Sequence, residues 1–155
     1  MSSVDYKDVV LNILNHPEVK SMENYIQHSN ISCLDHCISV SYYSYSICRV
    51  LGFDYKAAAR GGLLHDFFQY DWHIPSSEHN FHGFTHPKTA LNNSKKYFLL
   101  NEVEQDIISK HMWPLTIKIP KYKEAMVVCF VDKFCAIMEI IGLYKRDKFY
   151  NILNH

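Results

Sequence analysis

The chain has 155 residues, of which 48% are hydrophobic and 21% charged, enough to bury one core in a single domain spanning 1–155. Sixteen Lys and Arg balance sixteen Asp and Glu, a formal net charge of zero. That balance argues against a general binder of long nucleic acid or of a membrane surface, which would carry a basic excess, and leaves a small anionic substrate open.

Helical periodicity dominates from the N-terminus. Val9, Val10, Ile13 and Leu14 mark an apolar face from about Val4 to Asn15, ended by Pro17. A short helix is expected from Val19 to about Gln27. Ser32, with Asp35 three residues on, reads as the N-cap of a long helix that stops at Gly52. Asp54 opens the next helix, DYKAAARGGLLHDFF, whose Ala57, Ala58, Ala59, Gly61 and Gly62 allow close packing. The stretch from Gln69 to Phe84, with Pro75, Asn80 and Gly83, reads as a loop beside a site. Helix resumes near Pro87, a first-turn residue, and runs to about Phe98. Asn101 and Glu104 make a capping-box start for the following helix. A last long helix, Tyr122 to Ile141, is apolar nearly all round and therefore expected to be central. The class is all-α, about six to seven helices, with a core over about 32–141, N-terminal helices over 1–30 and a tail over 142–155. No strand is expected.

The five cysteines are odd in number and form no C-x-x-C pair, so buried free thiols are expected rather than disulfides. Cys33, His36 and Cys37 could be imagined as thiolate-rich zinc ligands, but no second pair at zinc-finger spacing completes the set. No apolar run is long enough to span a membrane, and MSSVDYKDVV lacks a signal-peptide core, so the expected location is cytoplasmic.

The chemistry sits in His65-Asp66, with His36, His86, His111 and Asp132 at wide intervals in or beside helices. Four imidazoles and two carboxylates converging on one point could hold two divalent cations with open positions, a hydrolytic or oxygen-activating centre. Mixed nitrogen and carboxylate ligation suits iron or manganese, with zinc, cobalt, nickel or magnesium as further candidates.

The series His36 … His65-Asp66 … His86 … His111 … Asp132, in the settings AARGGLLHD, HPKTAL, SKHMWP and CFVDK, resembles the HD-domain metal-dependent phosphohydrolase superfamily in its binuclear form. The resemblance covers about Leu34 to Glu139 and implies an HD-domain helical bundle. It implies one ion on His36, His65, Asp66 and Asp132, and a second on His86 and His111 with Asp66 as the bridge. It implies hydrolysis of a phosphoester or phosphoanhydride in a small nucleotide-like substrate by a metal-bridging hydroxide. The alternatives on the same ligands are a di-iron oxygenase and a non-enzymatic nucleotide-binding module. The glycine-tyrosine-proline motif of the cyclic dinucleotide group is absent.

Lys133 and Arg60 are the first candidates for phosphate clamps, ahead of Lys88 and Lys110. His82 is the rival to His86. His73 and His79 are expected in the loop, and His16, His28 and His155 on the surface. Tyr70 and Trp72 are candidates for base stacking, and Phe67 and Phe68 for core or cleft wall. The expected state is a monomer or homodimer.

Overall fold

A computed structural model describes residues 5–69 and 82–144. Among them are seven α-helices and one two-stranded hairpin: α1 (Tyr6–Leu14), α2 (Pro17–Lys20), β1 (Ile26–His28), β2 (Ile31–Ser32), α3 (Cys33–Leu51), α4 (Tyr55–Leu64), α5 (His82–Tyr97), α6 (Glu102–Lys110) and α7 (Lys123–Ile140). The fold is an all-α bundle. No helix among the described residues is long and apolar enough to cross a membrane.

Local chemistry starts the helices where the sequence places their caps. Ser32 Oγ accepts from Asp35 N at 3.1 Å, and Asp54 Oδ1 accepts from Ala57 N at 2.9 Å. Asn101 and Glu104 close both bonds of a capping box. Gly52 ends α3 at φ +68°, a left-handed conformation that glycine adopts without strain.

Helix α4 lies between α3 and α6 because two of its faces carry no side chain. A Cβ on Gly62 would stand 3.0 Å from Ser41 Cα on α3, and one on Gly61 would meet Ile107 Cδ1 on α6 at 2.7 Å. Ser41 Oγ also donates to Ala59 O at 2.6 Å and accepts from Tyr6 OH at 3.0 Å, which docks α1 on the same seam. Phe67, Phe68, Leu63 and Leu64 complete the core beneath it.

Four expectations are corrected. The segment after Pro17 forms only one helical turn and a 3₁₀ turn, then the hairpin. Its two-residue turn, Ser29-Asn30, needs Ser29 at φ +53°, and the short strands carry no run of alternation that a sequence could show. Helix α4 stops at Leu64, before His65-Asp66, instead of running through them. Helix α5 begins at His82, so Pro87 lies inside it and not in its first turn. Helix α7 is not central: Phe130, Phe134 and Ile137 are each more than half exposed along one face. Of the tail over 142–155, only 142–144 lie within the described residues.

Candidate metal centre

The ends of α4 and α6, the first turn of α3, the second turn of α5 and the middle of α7 meet at one buried point. There stand His36, His65, Asp66, His86, His111 and Asp132, each no more than 9% exposed. Their ligand atoms fall into two groups able to hold an ion: His36, His65, Asp66 and Asp132, and Asp66, His86 and His111. Asp66 belongs to both.

The helix ends set the imidazoles. Terminating α4 at Leu64 leaves Gly62 O without its helical partner, and His65 Nδ1 takes it at 2.7 Å. His111 repeats the device at the end of α6, its Nδ1 lying 2.9 Å from Ile108 O. A carbonyl only accepts, so Nδ1 of each ring carries a proton and Nε2 is the atom turned toward the cluster. His36 Nδ1 is held by both oxygens of buried Glu139, at 2.9 and 3.0 Å.

In the first group His36 Nε2 and His65 Nε2 lie 3.0 and 3.3 Å from Asp132 Oδ1. The same nitrogens lie 3.9 and 3.4 Å from Asp66 Oδ2. In the second, His86 Nε2 and His111 Nε2 are 2.8 Å apart. They lie 3.1 and 3.2 Å from Asp66 Oδ1. Ligands at right angles on an ion with bonds of about 2.1 Å stand about 3.0 Å apart, so most of these spacings match edges of a coordination shell. Two atoms make the fit chemical as well as metric. His65 Nε2 and Asp66 Oδ1 are buried without any hydrogen-bond partner. A buried polar atom left unmatched is costly in a folded chain, and a cation is what both atoms can bind.

Electrostatics in the metal-free centre follow from this crowding. Burial pushes the His36 ring down, but Asp132 and Glu139 outweigh it and raise it to about 10. His65 is likewise raised well above its ordinary value, against its burial, chiefly by Asp66. Burial opposes ionisation of Asp66 and Asp132, yet the surrounding imidazoles hold both well below the usual carboxylate range. His111 is lowered by burial, which Asp66 only partly offsets. Protons thus hold the first group together where an ion would replace them.

The two expected clamps are engaged elsewhere. Arg60 Nε donates to Glu104 Oε1 at 2.6 Å and its Nη2 to Leu99 O at 3.1 Å, so it ties α4 to the start of α6. Lys133 Nζ donates to His111 O at 2.8 Å, Cys129 O at 3.2 Å and Cys129 Sγ at 3.3 Å. These contacts tie Lys133 to the backbone of His111 and to Cys129, so here it supports that ligand. Lys110 pairs with Asp106 at 2.6 Å, and Lys88 is exposed. Cys33 and Cys37 are buried, and burial raises the Cys37 thiol well above its ordinary range, which disfavours a zinc thiolate. Tyr70, Asp71, Trp72, His73, His79 and His155 lie outside the described residues.

Three residues around the centre have no site role in the sequence reading: Glu139, Gln27 and His28. Glu139 had a legible signal, since it follows Asp132 by two helical turns on one face. Gln27 donates from Nε2 to Asp66 Oδ2 at 2.6 Å. His28 is half-buried, not on the open surface, and its ring stands edge-on to His36 at 5.6 Å between centroids. Burial and the charge of His36 lower it. Neither had a signal, because both sit on the unforeseen strand.

This geometry has the ligand order and helical frame of one family, and comparison agrees. The HD domain family model matches residues 33–137, about two-thirds of the chain, and the protein belongs to the HD domain family. No curated protein and no solved structure matches it.

Proposed function

We propose that the protein is a metal-dependent phosphohydrolase that cleaves a phosphoester or phosphoanhydride bond in a small nucleotide-like molecule. The observation that carries this reading is the division of one buried cluster into two ligand groups sharing Asp66. Membership of the HD family, which is mostly hydrolytic, supports it. His36, His65, Asp66 and Asp132 would hold one divalent ion, and His86 and His111, with Asp66, a second. Iron or manganese fits the nitrogen and carboxylate donors best. When bound, such a pair supplies Lewis acidity toward a phosphoryl oxygen and an acidified water as nucleophile at neutral pH.

The chain's own residues do the rest. Glu139, Gly62 O and Ile108 O fix the rings of His36, His65 and His111 so that Nε2 faces inward. Lys133 holds the carbonyl of His111, and Arg60 holds α4 against α6. Phe68, ring centroid 5.8 Å from that of His86, walls the cluster from below with the core.

The test is a phosphate-release and product-separation screen over mono- and dinucleotides with manganese- or iron-loaded protein. The expected result is metal-dependent release of phosphate or a nucleoside phosphate, abolished by a chelator. An intact panel with oxygen consumed alongside an organic substrate would replace hydrolysis by oxygenation.

A further inference from the structure

The two oxygens of Asp66 face different neighbours, Oδ1 toward His86 and His111 and Oδ2 toward His65 and His36. A carboxylate spans two groups only while its plane is held. Rotated by a quarter turn, it would present both oxygens more evenly to one side and join nothing. The group that meets Oδ2 comes from outside the helices: Gln27 of β1, 7% exposed, whose Nε2 lies 2.6 Å from that oxygen.

An ionised carboxylate only accepts, so the NH₂ end of Gln27 must face Asp66 and the carbonyl end must face away. That carbonyl oxygen, Oε1, is buried and has no hydrogen-bond partner among the described residues. A buried amide oxygen without a protein partner is a place where a water or a ligand hydroxyl can donate. The hairpin carries Gln27 to this position at an irregularity in its register, between Ile26 and His28. Ile26 pairs with Ser32 and His28 with Ile31, and Cys33 N donates to Tyr25 O at 2.7 Å at its base. Gln27 stands outside the stretch 33–137 that the family model covers, as does Glu139.

We propose that Gln27 is a positioning residue that holds the Asp66 carboxylate across the two ligand groups, while its Oε1 offers an acceptor to water or a hydroxyl of a bound molecule. This rests on the two-group reading given under Proposed function. A purely structural Gln27 would tie the hairpin to the bundle and matter for folding alone.

The experiment is titration of metal-free protein with manganese(II) alone, counting free ion by electron paramagnetic resonance, for wild type, Gln27→Met and Gln27→Asn. Methionine keeps the length and loses the amide. Asparagine keeps the amide and loses the reach, and gives a second variant should the first fold poorly. The expected result is two ions in the wild type and, in both variants, one ion held near wild-type affinity with the other weakened about 10- to 100-fold. Two ions at unchanged affinity in the variants would overturn the proposal and leave the two-group reading intact. Equal weakening of both ions, with thermal stability falling in step, would assign Gln27 to packing and also overturn it. A wild type that takes up fewer than two ions would sink the two-group reading and this inference with it.

Discussion

At the scale of single residues, the centre depends on which atom of each ring faces inward. Glu139 grips His36 Nδ1 with both oxygens, so Glu139→Gln should lower metal affinity about 10- to 100-fold without unfolding the chain. Titration with manganese(II) reads this directly, and unchanged affinity would return Glu139 to a packing role. Protonation gives a second prediction. The His36 pKa rises from 6.5 to about 10, so its pairing with Asp132 and Glu139 stabilises the metal-free fold fully below about pH 6.5. That contribution fades as pH rises through about 10. Asp132 is depressed, so its share is present above its ordinary value of 3.8 and is lost as pH falls well below it. Metal uptake at neutral pH must displace the His36 proton, and calorimetry in buffers of different ionisation enthalpy should show at least one proton released per chain. Uptake with no proton release would contradict the assignment of His36. Residues of this kind were legible in the sequence where they carry the ligand atom itself. His65-Asp66, His36 and Asp132 stand out as imidazoles and carboxylates in or beside helical stretches. The supports do not, because a backbone carbonyl such as Gly62 O has no signature in residue type.

At the scale of elements, close approach decides where α4 lies. Gly62→Ala places a methyl 3.0 Å from Ser41 Cα, a backbone atom that cannot swing aside, and should destabilise by about 1–3 kcal/mol net of the better helix propensity of alanine. Chemical denaturation measures it. A neutral or stabilising effect would mean that α3 and α4 separate readily, and the placement of His65 would then need another cause. The caps of α3, α4 and α6 were readable from Ser32, Asp54 and Asn101, because each cap is a local exchange between a side chain and an N–H two or three residues on. The end of α4 was not readable. The run GLLHDFF is as apolar as a helix requires, yet α4 ends at Leu64, where His65 Nδ1 takes Gly62 O and Asp66 turns to the cluster. The apolar circumference of α7 misled for a related reason. Hydrophobicity all round a helix states that it can be buried, whereas Phe130, Phe134 and Ile137 remain largely exposed in this single chain.

At the scale of the whole molecule, the centre joins five helices and the hairpin, so an ion bound there acts as a staple. Metal at about 100 times its dissociation constant should add about 2.7 kcal/mol to stability per site, seen as a rise in Tm that a chelator reverses. No rise would mean that the folded chain binds the ions no better than the unfolded one, which is incompatible with a metal centre built by the fold. The central claim is that Asp66 joins two ligand groups in one buried site, and metal stoichiometry tests it most directly. Protein freed of metal, reloaded anaerobically with iron or manganese and passed through a desalting column should carry two ions per chain. His86→Ala and His111→Ala should each carry one, and Asp66→Ala none, with circular dichroism showing helix retained. Two ions in Asp66→Ala, or fewer than two in the wild type, would contradict the account.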